Sequence, residues 1–219
     1  MSRSSIAFRE TIRRAAIGER KYIRHFEGRG HFAHVKLELL PHDEEACIVT
    51  RAPDLAIPED CYHAVRAAIF RRFDSGPTAH HPMRGVEVRL LEATHLPPHS
   101  YPEAFAMAAG MAFDEALFAA SPVILEPWIG LRIHVQQDEL ADAIAALVLL
   151  LGKVDASVTY SDAFILNVET PNRLLTRACQ MVGPRHTETF ALPASREYRP
   201  MQASRPSDSQ RLPRFEDWT

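Results

Sequence analysis

Two long extended runs meet at Glu27-Gly28-Arg29-Gly30, and this pairing constrains the fold more than any other stretch of the chain. The first run is "KYIRHFEGRG" and the second "HFAHVKLELL". Successive residues of a strand face opposite sides of a sheet, so alternating polar and apolar residues suit a half-buried strand and not a helix. The glycines between the runs supply the backbone freedom of a tight turn. In the second run Phe32, Val35, Leu37 and Leu39 are the expected core residues, with Lys36 and Glu38 turned to water. The loop itself has two readings: a hairpin turn carrying a solvated Arg29, or a loop that approaches something negatively charged.

The pattern around this hairpin predicts further elements. Strands are expected at 5–12, at "ACIVTRA" and at 84–93. Residues 57–76 read as a helix, with Pro58 and acids at its start, Gly76 at its end, and Tyr62, Val65 and Ile69 as its core stripe. Ser100 and Glu103 are placed to form a capping box for the next helix, "PEAFAMAAGMAFDEALFAA". That helix is apolar almost all round and should be buried along most of its length. Ser121 and Pro122 close it. Strand 125–135, helix 138–151, strand 152–160, strand 163–168, helix 171–179 and strand 186–192 come next. Their order is β-α-β-β-α-β, the ferredoxin-like arrangement.

Composition narrows the functional classes. The 219 residues suffice for one large or two small domains, and 46% hydrophobic with 24% charged residues is an ordinary soluble composition. The first residues lack the apolar core of a signal peptide, and no apolar run approaches the length that spans a bilayer. Cys47, Cys61 and Cys179 are widely spaced and read as buried thiols of a reducing, cytoplasmic compartment. The formal net charge is -3, so any nucleic-acid contact must come from a local basic patch.

Several stretches taken together carry a resemblance. "IAFRETI", "KYIR", "GRG" followed by "HV", then "IP", "AV", "SG", "AF", "MAFDEAL" and "PVILEP" occur in one order. That order and spacing resemble domain IV of translation elongation factor G, densely from Ile6 to Pro127 and more thinly to residue 192. The resemblance implies a domain IV-like α+β sandwich over residues 1–121, a ferredoxin-like domain V over 122–195, and a flexible tail over 196–219. It also implies a stand-alone version of the factor's last two domains. No GxxxxGK[ST] loop is present, because Gly152-Lys153 is followed by Val154. Neither nucleotide nor any other cofactor is therefore expected, and the chain reads as a non-enzyme.

The implied partner is the ribosome or rRNA, met through the tip of domain IV. Gly28, Arg29 and Gly30 would form the first tip loop, with Arg20, Lys21, Arg24, His25 and His31 beside it and His95 in the second. Such a cluster suits sequence-blind contact with structured RNA. The chain departs from the family at Glu27, where the family has an additional glycine. At the second loop, His95 and Leu96 replace a Tyr-His pair, and Pro97 and Pro98 stiffen the loop beyond them. Val148, Leu149, Leu150, Leu151 and Gly152 replace Asn-x-Arg-Arg-Gly, and His186, Thr187 and Glu188 replace a later Gly-Arg-Gly.

The remaining histidines, cysteines and leucines bear on chemistry and partners. His31 and His34 lie three apart on a strand and point to opposite faces, so they cannot share a metal ion. His80, His95 and His99 lie in loops and read as solvated, and no metal site is expected. Cys61 stands near a helix start, where a thiolate is favoured, but reads as a packed residue. Leu149, Leu150 and Leu151 in succession make their helix apolar on more than one face. Either the helix is sandwiched between its sheet and the neighbouring domain, or it pairs with a second copy or a protein partner.

Overall fold

In the computed structural model, which describes residues 7–26, 29–151, 157–160, 164–182, 187–192 and 197–201, the hairpin is the longest strand pair. A short strand β1 (Arg9–Ile12) precedes β2 (Ala16–Phe26) and β3 (Arg29–Pro41). These two pair antiparallel from Ala16↔Leu39 to Phe26↔Arg29, so only Glu27 and Gly28 separate them, and both lie outside the described residues. Ala33, Val35, Leu37 and Leu39 have no exposed surface. Phe32 is out of phase with them: it sits on the opposite face, half-buried, and Ala33 takes the core position expected of it.

β4 (Ile48–Arg51) and β5 (Val86–Thr94) complete a four-stranded sheet in the order β2-β3-β5-β4, with β4 parallel to β5. One face is covered by α1 (Glu59–Phe73) and α2 (Pro102–Ala119). In α1 the buried stripe is Cys61, Val65, Ala68, Ile69 and Phe73. Tyr62, expected in that stripe, is half-buried instead and carries the Arg51 guanidinium 4.6 Å from its ring centre. α2 buries Ala104, Phe105, Ala108, Ala112, Phe113 and Ala116 among others, as its composition predicts. Its small residues let it lie directly on β2, where a Cβ at Gly18 would stand 2.0 Å from the Ala112 carbonyl oxygen.

The expected capping box is not formed. Tyr101 is the residue before the first turn of α2, makes no side-chain cap, and is followed by Pro102, which has no N–H to cap. The Ser100 hydroxyl is committed elsewhere: it accepts from the Leu96 N–H and donates to the Phe32 carbonyl, both at 2.8 Å.

The remaining elements keep the expected β-α-β-β-α-β order: β6 (Pro122–Val135), α3 (Leu140–Leu151), β7 (Ser157–Tyr160), β8 (Phe164–Pro171), α4 (Leu175–Met181) and β9 (Thr187–Phe190). β8 pairs with β6 and β7, and β9 pairs with β6 on the opposite edge, all antiparallel. A second core forms from Leu131, Ile133, Val135, Leu166 and Val168 beneath Ala143, Leu147, Ala178 and Val182. Near the end of α3, Leu150 packs against this core, while Leu149 is 82% exposed and Val148 is 42% exposed. The sandwiched reading therefore fails for Leu149, and Leu151 is described only as the last residue of the helix.

β6 joins the two halves. Its first residues pair with β1, and on the opposite edge with β10 (Tyr198–Pro200), since Leu125 faces both Arg9 and Pro200. The tail expected from residue 196 thus begins with a strand. Tyr198 lies beneath the guanidiniums of Arg84 and Arg9, 4.4 Å and 5.9 Å from its ring centre. Arg199 lies 4.1 Å over Trp128 while pairing with Glu169. Alternating aromatic and cationic contacts hold this short strand where its composition alone suggests none. Leu212, Phe215 and Trp218 lie outside the described residues. Among the described residues no helix is long and apolar enough to cross a membrane.

Candidate nucleic-acid interface

The helix-free face of the four-stranded sheet is charged but internally neutralised. Lys36 donates to Glu92 at 2.9 Å, Glu19 receives His34 Nε2 at 2.8 Å, and Arg89 reaches Glu87 at 3.2 Å. The hydrogen bond from His34 holds Glu19 below the usual carboxylate range, and Glu92 holds Lys36 above the usual lysine value. His34 Nδ1 also meets the Thr94 hydroxyl at 3.1 Å, so this histidine, 8% exposed, is part of the sheet's own network. It faces away from His31, as the strand alternation requires.

The candidate basic residues divide on this map. Arg20 turns toward α2 and pairs with Glu115 at 3.3 Å. Lys21 and Arg24 lie further toward the hairpin end, both exposed, and neither has an ion-pair partner among the described residues. His25 is exposed opposite Gly30, and His31 pairs across from Arg24. Arg29 is placed by its backbone pairing with Phe26, and Gly28 lies outside the described residues. His95 is not presented as a free contact: it is half-buried and stacked on Phe105, with ring centres 6.3 Å apart.

Gly30 differs from its expected role as a turn residue. It stands inside β3, and a Cβ there would come within 3.1 Å of His99 Nδ1. The second loop closes onto the hairpin at this point. The Phe32 N–H donates to the His99 carbonyl at 2.7 Å, the Ser100 hydroxyl donates to the Phe32 carbonyl, and the His31 and Tyr101 rings lie 5.1 Å apart. The second loop thus braces β3 between Gly30 and Phe32.

Between this end and the first turns of α2 lies an open cleft of about 380 Å³, lined by Tyr22, Arg24, His25, His31, Glu103 and Met107. Tyr22, Glu103 and Met107 were not expected there from sequence. Tyr22 stands two residues before Arg24 and therefore on the same strand face, a signal that was available. Glu103 and Met107 reach the cleft only through the docking of α2, which no local pattern reveals.

Burial first, and then the Asp60 charge, push the Cys61 thiol up to about 11, so it stays protonated and packed. His80 meets the Ser75 hydroxyl at 3.3 Å. Among the described residues no three His, Cys, Asp or Glu side chains are grouped to hold a metal ion.

An α+β sandwich with a long, braced hairpin at one end, continued by a second α+β unit, is the architecture of a translation-factor-like module, and comparison with known proteins agrees. The family model described as elongation factor G, domain IV, matches residues 4–121. Elongation factor G of Thermotoga neapolitana is 34% identical over 170 residues, covering 76% of this chain and 24% of that protein. The Thermotoga maritima factor is 32% identical over 170 residues, covering 76% of this chain and 25% of its own length. A solved structure from Thermus thermophilus has the same fold over 87% of this chain and 30% of its own, with a TM-score of 0.68 at 24% identity. The chain belongs to the elongation factor G domain IV family. It spans about a quarter of the length of the curated relatives it matches, and the family match falls on domain IV, not on the GTPase domain.

Proposed function

We propose that this chain is a non-enzymatic translation-factor module that binds the ribosome, or structured RNA, through the hairpin end of its domain IV-like half. The observation that carries this reading is the charge distribution along β2 and β3. Acids neutralise the sheet's open face, where the charge of Lys21 acts on Glu19, whereas Arg24, on the other face and nearer the turn, has no ion-pair partner among the described residues. A cation not engaged within the protein is free to replace the counterions of a phosphate backbone. The brace from His99 and Ser100 holds β3 at Phe32, which lowers the ordering cost of a contact made beside it. The Arg29 backbone pairs with Phe26 at this end of the hairpin. The reading takes residues 1–121 as the contact domain and 122–195 as its domain V-like support.

Co-sedimentation with purified ribosomes across a salt series tests it. Wild type should bind at low salt and release as salt rises. The pair Lys21→Glu and Arg24→Glu should lose most of that binding, at least about tenfold, with unchanged melting temperature. Equal binding by both proteins would sink the assignment to this hairpin.

A second reading rests on the α3 surface. Leu149, 82% exposed beside Val148, favours a protein-interaction or dimerisation module. A concentration series of hydrodynamic mass, with Leu149→Lys as control, decides it. A strictly monomeric wild type that captures no ribosomal or other protein would remove that reading.

A further inference from the structure

The cleft behind the hairpin end has a chemistry that general phosphate binding does not use. Its lining includes Tyr22, His31 and Met107, the last 52% exposed. Flat or polarisable groups of this kind hold the faces of a nucleobase. Its lining also carries two opposite charges, Arg24 and Glu103, which are not ion-paired with each other or with any other described residue. A volume of about 380 Å³ admits one unstacked base together with its sugar and some water. An arginine beside such a base suits the attached phosphate.

Glu103 makes the choice of base. An ionised carboxylate only accepts hydrogen bonds, and it can accept two in parallel. Guanine presents two neighbouring donors on its Watson–Crick edge, the ring N1–H and the 2-amino group. Adenine and cytosine each place a ring-nitrogen acceptor beside their amino group, and uracil flanks its single N–H with two carbonyls. A carboxylate in the cleft therefore rewards guanine and meets a repelling lone pair on the others.

We infer that the cleft between β2, β3 and α2 captures one splayed-out guanine of single-stranded or looped RNA, with Glu103 reading its Watson–Crick edge and Arg24 holding its phosphate. This rests on the RNA-binding reading above and adds base selectivity to it. Recognition of unstacked bases by side chains is the usual route to sequence preference in RNA.

Fluorescence anisotropy on uridine-rich hexamers with a single central guanine, inosine or adenine tests it. Inosine keeps the N1–H and lacks the 2-amino group. The expected affinity order is guanine over inosine over adenine, spanning about tenfold. Glu103→Gln lies at an exposed position in the first turn of α2 and should keep the melting temperature. It should erase the order while leaving adenine binding unchanged or slightly stronger. Arg24→Gln should weaken all three oligomers alike. Equal affinities for the three hexamers, or an order that survives Glu103→Gln, overturn the guanine inference. Absence of binding to any hexamer overturns it too, and the ribosome sedimentation then reports separately on whether the hairpin meets RNA.

Discussion

Glu10 has no exposed surface, yet its environment favours the charged form. Its carboxylate accepts from the backbone N–H groups of Thr78, Ala79 and His81 at 2.8, 2.8 and 3.1 Å, closing the loop after α1 onto β1. Burial pushes this group up, but the amide donors together outweigh it and hold it below the ordinary glutamate value of 4.5. The unfolded chain therefore binds the proton more readily than the folded one. Glu10 contributes its full stability above pH 4.5 and loses it as pH falls through the lower folded value. Glu19, held down by His34, acts in the same direction. Urea midpoints should therefore fall as the solution is acidified below about pH 4.5. Glu10→Gln, which presents only one acceptor oxygen to three amides, should cost about 2 kcal/mol at neutral pH and flatten that acid limb. A mutant whose midpoint tracks wild type at every pH would show that the loop amides find water instead.

At the scale of the element, two glycines of one hairpin should behave differently although they look alike in sequence. Gly18 faces a backbone carbonyl of α2, which cannot move without displacing the helix, and its absent Cβ leaves a gap of only 2.0 Å. Gly30 faces the His99 ring at 3.1 Å, and a side chain of an exposed loop can give way. Gly18→Ala should destabilise by about 3 kcal/mol, whereas Gly30→Ala should stay within about 1 kcal/mol in the same thermal melts. Comparable losses at both positions would mean that the second loop is as rigid as the helix. This contrast also marks what the sequence could tell. The hairpin, α1, α2 and the β-α-β-β-α-β order were legible, because alternation, helix punctuation and small-residue content are local signals. The candidate site was legible only in part. Arg24 and His31 converge as the strand register dictates, with Lys21 on the opposite face beside His34, but the packing of His95 on Phe105 and the use of Ser100 as a brace depend on where two loops meet. Glu103 and Met107 enter the cleft because of how α2 docks, and β10 is held by cation–aromatic contacts between residues far apart in the chain.

The whole molecule turns on β6, a 14-residue strand that pairs with β1 over Pro122–Leu125 and with β8 over Trp128–Val135. Between those two stretches, Glu126 is almost fully buried and accepts from Arg173 at 2.6 Å, fastening the strand to the turn before α4. A buried ion pair adds little net stability over an apolar replacement, but removing one partner strands the other charge. Arg173→Met should therefore cost about 3 kcal/mol, and adding Glu126→Gln should recover more than about 1 kcal/mol of that loss, since the two residues act as a unit. Hydrogen exchange then reads how far the damage travels. If β6 transmits order between the cores, Arg173→Met raises exchange not only at the β6–β8 amides around Trp128 and Thr170 but also at Ile124 and Leu125, where β6 meets β1. Faster exchange confined to β8 would mean that the two halves order independently. The hairpin end would then be carried by its own sandwich alone, and no change in the ferredoxin-like half would alter its orientation through this strand.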